Sequence, residues 1–539
     1  MDDDSDTEKS EDLKALHGMG YAQELSRSMS KFSNFAISFS IICILSGGIN
    51  SFAQAISSIG GAGAGIGWIV GCALSGMFAL AMAQIASAFP TAGGLYHWGS
   101  ILGNRFWGWL TAWLNLLGLI TVLGAINIGT AYFFAGTFGG MFGFTGTDGQ
   151  VVIFVAVVTI LQAVFNHIGI KVTTFLTDTS GYVIFATTAV LVVACLAFAP
   201  AIDISRLWTF SNFSGEAGGG VFPRSESTAY LFLLCLLLPV YTITGYDASA
   251  HTAEETKNAA VVVPKGIVSA VLWSSLVGWV MICAITLAIP DMTEGASKGW
   301  GVFFYTMDSV MPTGLKTALY LGILIAQLLC GLATVTSASR MLFAFSRDGG
   351  MPVGSKALAT VSAKYRTPVN AIWTATLLCI LYVVLALSIK LDGTSIYVIV
   401  VNSTLVFLFL SFTVPLVAGM IAYGGPKWPR PGPWALSTGV YRLVTLLSVM
   451  GMAVILFIAV APPNERVLYV VMGFIAVALV LWVLVENRRF EGPPTGERIA
   501  KRKTAIAAAE AAVGEGNHTY KLSGEEAKIA AAKAASGDI

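Results

Sequence analysis

The chain has 539 residues, of which 55% are hydrophobic and 11% are charged. Soluble globular proteins carry about 25% charged residues, so this composition excludes a soluble protein and predicts a polytopic membrane protein. The net charge of +1 gives no support for nucleic-acid binding.

A helix needs roughly 20 apolar residues to cross the hydrocarbon core of a bilayer. The apolar stretches predict an all-α membrane protein with twelve transmembrane helices, which we call spans one to twelve: 35–60, 63–89, 105–135, 151–168, 179–199, 229–251, 266–289, 315–346, 370–389, 394–422, 440–462 and 466–486. Residues 1–34 are polar, so the first span is expected to act as the insertion signal. We divide the chain into an N-terminal tail (1–34), a transporter domain (35–486) and a C-terminal tail (487–539).

The lysines and arginines of the loops predict the orientation. An even number of spans places both termini on one side, and that side collects eleven loop cations: Arg105, Lys171, Lys257, Lys265, Arg347, Lys356, Lys364, Arg366, Lys427, Arg430 and Arg442. The other side collects five, namely Arg206, Arg224, Lys298, Lys390 and Arg466. Both termini are therefore predicted to be cytoplasmic.

Span one contains Ser46-Gly47-Gly48 near its middle. Glycine costs about 1 kcal/mol relative to alanine inside a helix, so this pair is a weak point where the helix can unwind. The alternative is close helix packing, for which glycine is common in membrane helices.

Span six contains Thr244-Gly245-Tyr246-Asp247, with Pro239 upstream. An ionisable residue inside a span is a functional candidate, although Asp247 could also lie solvated near the inner end of the helix. Two interrupted spans, five apart, are typical of inverted-repeat transporters, whose discontinuous helices meet near the bilayer midplane.

The two predicted breaks offer backbone groups to a zwitterion. The N–H groups of Gly47, Gly48 and Ile49 could hold a carboxylate, and carbonyls near the breaks could receive an ammonium. Tyr241 and Tyr246 could form the pocket wall and attract a cation through their ring faces, or they could only pack within the bundle. The full set of candidate substrate-binding residues is Ile44, Leu45, Ser46, Gly47, Gly48, Ile49, Tyr241, Thr242, Thr244, Gly245 and Tyr246.

Charged residues cluster at the inner ends of spans six and eight. We expect Glu254 or Glu255 to face Arg340 or Arg347 and to close an inner gate, unless this is only a solvated loop edge. His251 is expected at the same membrane surface. The histidines are scattered without metal-ligand spacing, so we expect neither a metal nor a cofactor.

Four motifs resemble the amino acid–polyamine–organocation transporter superfamily, and within it the amino acid/choline transporter branch. They are LSGGIN in span one, FPTAGGLYHW (Phe89 to Trp98), TGYDASAHTAEETKNAAVVVPKGI (Thr244 to Ile267) and ASRMLFAFSRDGGMP (Ala338 to Pro352) followed by RTPVNA. The resemblance implies a five-plus-five inverted repeat with discontinuous helices 1 and 6. Repeat one would cover about 35–199 and repeat two about 229–422, with helices 11 and 12 (about 440–486) outside the core.

The chain departs from several proton-coupled relatives, which place a lysine in span five. The predicted span five holds no lysine, so a lysine mechanism cannot be transferred. Asp247 matches an acidic position in many family members, and we expect it to couple transport to a proton.

The expected function is secondary active import of an amino acid or a related amine such as 4-aminobutyrate across the cell membrane, coupled to H⁺ or Na⁺. The alternatives are a choline or polyamine permease, or an amino acid exchanger. A membrane enzyme would need a cluster of His, Asp, Ser or Cys, and an ATP-driven pump would need a GxxxxGK[ST] loop; neither pattern is visible in the sequence. A channel or sensor is the third class that we considered.

Overall fold

The structure, a computed structural model, describes residues 2–388 and 396–512. Within these residues the chain is helical and contains no β-strand. Eleven helices are long and apolar enough to cross a membrane, and the shorter apolar helix Thr228–Thr242 supplies span six. The twelve-helix prediction is therefore confirmed.

The helices follow the predicted order. In the first five spans they are Lys31–Ile42, Gly47–Asn50 and Ala53–Ile59 (span one), Gly63–Gly67 and Trp68–Ala88 (two), Arg105–Thr137 (three), Asp148–Ile168 (four) and Ile170–Phe198 (five). In the remaining seven they are Thr228–Cys235, Leu237–Thr242 and Ala248–His251 (six), Ala259–Ala288 (seven), Thr313–Arg347 (eight), Val369–Ser388 (nine), Ile396–Ala422 (ten), Thr438–Val460 (eleven), and Glu465–Leu481, Trp482–Glu486 and Asn487–Arg489 (twelve).

Span five is longer than predicted. It begins at Ile170 rather than near residue 179, directly after Gly169, whose φ of 137° ends span four. Lys171 and Asp178 make the first turns polar, which hid these turns from a hydropathy pattern. Span five therefore does contain a lysine, but at its very start, and it also contains a carboxylate.

Small residues bring span two against span six. A Cβ on Gly67 would lie 2.6 Å from the sulfur of Cys235, and one on Gly71 would lie 2.3 Å from Cγ of Pro239. Only glycine permits this approach, which is how small residues pack membrane helices. Span six is thereby held in place on the N-terminal side of its break.

Both described ends of the chain lie on one face of the bundle, which we call the terminal face; the opposite face is the distal face. Nε2 of His17 lies 2.6 Å from Oε1 of Glu510, and the same oxygen accepts the N–H of Gln23 at 3.0 Å. The sequence suggested no chemistry for the C-terminal tail, yet residues 497–512 pack on the N-terminal segment. Lys390, His518 and the tail from residue 513 lie outside the described residues.

Candidate functional site

Span one is broken at its middle. Its first helix ends at Ile42, and one helical turn resumes at Gly47. Cys43 between them has a φ of 28°, which L-residues rarely adopt. The N–H of Gly47 donates to the Cys43 carbonyl at 3.1 Å, whereas those of Gly48 and Ile49 donate to no acceptor among the described residues. The break therefore presents two unpaired backbone donors inside the bundle.

Span six is broken at the equivalent level. Its helix stops at Thr242 and resumes at Ala248. Gly245 lies between them with a φ of 89°, a conformation that glycine adopts at little cost. The carbonyl of Thr242 accepts no hydrogen bond from the described residues, while that of Tyr241 accepts the hydroxyl of Thr244 at 2.8 Å. Unpaired carbonyls at such a break can ligate a cation or an ammonium group.

The two breaks are in direct contact. A Cβ on Gly47 would lie 2.9 Å from Cα of Thr242, and one on Gly245 would lie 2.2 Å from Cγ2 of Ile41. Span eight reaches the break in span one, because Nε2 of Gln327 donates to the Leu45 carbonyl at 3.1 Å. The broken segments of spans one and six therefore pack against each other.

All of the candidate substrate-binding residues fall in these two breaks and are buried: Ile44, Leu45, Ser46, Gly47, Gly48, Ile49, Tyr241, Thr242, Thr244, Gly245 and Tyr246. The ring of Tyr246 packs on Phe412 of span ten, with centroids 5.4 Å apart. Its hydroxyl is buried and has no hydrogen-bond partner among the described residues.

A cavity of about 240 Å³ lies on the distal side of the break in span one. Its wall contains Ile49 and Asn50 from span one and is otherwise mostly aromatic: Gly129, Tyr132, Phe133, Trp300, Phe303, Phe304 and Tyr397. Among the described residues, no carboxylate or cationic side chain lines it. A small solute arriving from the distal face would meet ring faces and one amide before reaching the broken backbone.

Asp247 is buried, not solvated. Its side chain is fully inaccessible, and Oδ2 accepts the amide of Asn115 in span three at 3.1 Å. The same oxygen lies 3.2 Å from Nε2 of His251. The ring of His251 is completely buried in the protein, and its depth at the inner membrane surface stays a prediction.

Two buried ion pairs close the terminal face below the breaks. Arg340 donates to both carboxylate oxygens of Glu255, at 2.9 and 3.1 Å, and neither side chain is exposed. Arg347 donates to both oxygens of Glu254, at 2.8 and 3.0 Å. Bidentate pairs of this kind are the strongest salt bridges in geometry and specificity, and a solvated loop edge is excluded by their burial.

Two carboxylates at this face, those of Glu254 and Asp348, stay ionised although they are buried. Burial acts to raise the pKa of Glu254, but the charge and hydrogen bonds of Arg347 outweigh it and the pKa lies below its ordinary value. Asp348 behaves alike: burial opposes ionisation, and hydrogen bonding and charge from His97, with Arg347, lower its pKa. Ionised carboxylates keep their cationic partners in place.

The N-terminal segment is part of this closure. The Tyr21 hydroxyl donates to Oδ2 of Asp348 at 2.7 Å, and the Arg347 guanidinium lies 3.9 Å from the centre of the Tyr21 ring. Backbone N–H groups of Ser28 and Met29 both donate to the Glu255 carbonyl at 2.9 Å. The terminal face is therefore sealed by side-chain pairs and by a chain segment laid across them.

Several residues of the site were missed by sequence reasoning. Asn115 and Gln327 reach the breaks from spans three and eight, and His97 and Tyr21 contact Asp348. An uncharged amide inside an apolar span is the one signal that could have indicated the first two, because a buried amide needs a partner.

The family model described as "Amino acid permease" matches residues 29–485. The chain belongs to the amino acid permease family. It is 32% identical over 511 residues to Amino-acid permease BAT1 of Arabidopsis thaliana, covering 89% of this chain and 95% of that protein. It is 29% identical over 508 residues to Amino-acid permease 2 of Neurospora crassa, covering 89% of each chain. It is 29% identical over 408 residues to the GABA-specific permease of Saccharomyces cerevisiae, covering 71% of this chain and 67% of that protein.

The permease is thus a multi-pass membrane transporter of amino acids and not an enzyme. The matched residues include both breaks and both buried ion pairs. The resemblance noted from the four sequence motifs is confirmed.

Proposed function

We propose that this permease imports a 4-aminobutyrate-like amino acid by alternating access, coupled to a cation gradient. It would lie in the plasma membrane with the terminal face in the cytoplasm, as the loop cations predict. The paired breaks of spans one and six form the substrate site. The residues of the two buried ion pairs, with Asp247, serve gating and coupling.

The contact between the two breaks carries this proposal. The N–H groups of Gly48 and Ile49 and the carbonyl of Thr242 are unpaired among the described residues, and the two breaks that carry them touch at Gly47 and Thr242. A carboxylate needs the first kind of group and an ammonium needs the second, so one small zwitterion satisfies both. Backbone dipoles supply the recognition, and no uncompensated charge has to be buried in the empty site.

The substrate class follows from what surrounds the breaks. Within the two break segments, 43–49 and 242–248, Asp247 is the one carboxylate, and its Oδ2 is engaged with Asn115 and His251. A polyamine carries more than one ammonium group, so a single carboxylate disfavours polyamines. The aromatic cavity next to Ile49 suits a single ammonium through cation–π attraction. The GABA-specific name of the yeast relative supports a short zwitterion with separated charges.

The conformation supports alternating access. The terminal face is closed by buried ion pairs, while the cavity lies toward the distal face. Release on the terminal side requires the Arg340–Glu255 and Arg347–Glu254 pairs to separate, and their exposure to water would then offset part of the lost attraction.

The test is uptake by the purified permease in proteoliposomes. Radiolabelled 4-aminobutyrate uptake should saturate and show counterflow, which distinguishes a carrier from a channel. Unlabelled amino acids, 4-aminobutyrate, choline and a polyamine are then compared as competitors at two pH values, with and without sodium. Strong competition by 4-aminobutyrate and weak competition by the polyamine are expected; competition by the polyamine alone would contradict the proposed substrate class.

A further inference from the structure

Asp247 and His251 form a pair that the substrate site itself does not use. They are one helical turn apart, on the terminal side of the break in span six. Both side chains are completely buried, and Nε2 of His251 lies 3.2 Å from Oδ2 of Asp247. Ionisable residues buried inside a membrane span are rare and usually have a functional role.

The hydrogen-bond partners of the His251 imidazole indicate how many protons it carries. Nδ1 of His251 lies 3.3 Å from the backbone carbonyl of Ala92. A carbonyl oxygen only accepts, so this hydrogen bond requires a proton on Nδ1. Nε2 of a neutral ring would then direct a lone pair at the Asp247 carboxylate, which also only accepts when ionised. A hydrogen bond between them requires one more proton, carried either by Nε2 or by Asp247.

Either arrangement leaves the pair with no net charge. An imidazolium facing a carboxylate and a neutral ring facing a carboxylic acid differ only in the position of one shared proton. Removing that proton would leave a single negative charge in a fully buried place, which costs free energy unless another cation compensates it. The geometry therefore describes a pair loaded with one proton.

The neighbouring elements supply no such cation. Spans three and ten offer Asn115 and Ser411, which are neutral, and span one offers Asn34 and Ser38. The buried face of span seven is neutral, and Lys265 on that helix is exposed.

The charged residues of the adjoining loops and of span eight are paired with each other. Glu254 accepts the N–H of Ala92 at 3.1 Å and is bound by Arg347, and Glu255 is bound by Arg340. On the loop before span three, His97 is bound to Asp348. Among the described residues, none of these cations hydrogen-bonds to Asp247 or His251.

We propose that Asp247 and His251 together carry the coupling proton of the transport cycle, with His251 as the residue that links the proton to the closed terminal face. This rests on the proposed function. One proton from water on the distal side binds between Nε2 and Oδ2. When the terminal face opens, the turn Ala248–His251 separates from the Ala92 loop, the Nδ1 bond is lost, and the proton passes to water on that side.

The hydrogen bonds described above engage only one oxygen of the Asp247 carboxylate. Oδ2 receives the amide N–H of Asn115 and faces the imidazole, whereas Oδ1 of Asp247 and Oδ1 of Asn115 are buried and have no hydrogen-bond partner among the described residues. Oxygen atoms of this kind can also ligate a hard cation such as sodium. The sodium arm of the experiment therefore decides between the two coupling ions.

The experiment compares His251→Gln with the wild-type permease, as full chains in proteoliposomes. His167→Gln is the matched control, because His167 lies near the terminal end of span four and pairs with Trp373 at 3.0 Å, away from the breaks. Three quantities are measured: counterflow of labelled 4-aminobutyrate, its accumulation under an imposed pH difference, and substrate-driven acidification reported by an internal pH dye.

Wild type and His167→Gln should accumulate substrate under a pH difference of one unit by up to about tenfold, the limit for one proton per substrate. His251→Gln should retain counterflow, which needs no net proton movement, and should lose both accumulation and acidification. Asp247→Asn removes the same proton without altering the ring and should behave alike; it also serves if His251→Gln fails to insert.

The possible outcomes separate the two proposals. Wild-type accumulation driven by sodium without a pH difference, or pH-driven accumulation that persists in both variants, would overturn the assignment of the proton while leaving transport intact. A wild-type permease that neither exchanges nor accumulates any tested amino acid would overturn the proposed function itself.

Discussion

The Arg340–Glu255 pair gives the sharpest prediction about the closed terminal face. Neither side chain is exposed, and two of the guanidinium hydrogen bonds of Arg340 end on the same carboxylate, while a third goes to Oγ of Ser339. Arg340→Met removes the cation and leaves Glu255 buried with its charge uncompensated. Glu255→Met removes the carboxylate and leaves Arg340 buried with its charge uncompensated. The double variant replaces the pair with two apolar side chains.

The magnitude follows from burial. Removing one partner of a buried pair costs about 3–5 kcal/mol, whereas replacing both with apolar residues of similar size is often neutral. Each single variant should therefore lose roughly 3–5 kcal/mol of unfolding free energy, and the double variant should recover most of it. The magnitude of the resulting coupling energy should therefore approach the sum of the two single losses, roughly 6–10 kcal/mol.

The assay is a double-mutant cycle on unfolding by SDS in mixed micelles, followed by tryptophan fluorescence. The control pair is Arg224–Glu226, which has the same charges but whose side chains are 57% and 81% exposed. Arg224→Met should change the unfolding free energy little, because exposed pairs contribute almost nothing. If Arg340→Met is no more damaging than Arg224→Met, or if the double variant is as unstable as the sum of the singles, the buried pair does not hold the face closed.

Three further outcomes are expected. Gly245→Ala should reduce transport strongly, because Gly245 has a φ of 89° and a Cβ at this position would lie 2.2 Å from Ile41. A strained backbone of this kind costs about 1–3 kcal/mol. The control is Gly76→Ala in span two, where a Cβ would meet no heavy atom within 4 Å and transport should be normal. Burial raises the pKa of Glu24 from 4.5 to about 7. Docking of the N-terminal segment should therefore be strongest in acid and weaken as pH rises through that value. In the wild type, the amide hydrogen exchange of residues 21–30 should accelerate with pH by more than the intrinsic exchange rate does, and in Glu24→Gln it should not. Phe304→Ala should raise KM for uptake, since this ring lines the distal cavity; an unchanged KM would remove the cavity from the substrate path.

The sequence alone determined the membrane class, the number of spans and the position of both breaks. These properties depend on residues that are close together in the chain. Hydropathy over about 20 residues indicates a span, and glycine indicates a weak point in a helix. The clustering of Glu254 and Glu255 with Arg340 and Arg347 was also visible, because these residues lie at the ends of predicted spans on one side. The roles of the break residues in binding stay predictions.

The tertiary structure alone decided which groups meet. Hydropathy cannot state how a helix is rotated, so it could not pair Arg340 with Glu255 or bring Asn115 to Asp247. It also could not show that the ring of His251 is buried, because the residues around it in the chain are polar. Packing across spans sets these contacts, and packing depends on residues far apart in the chain.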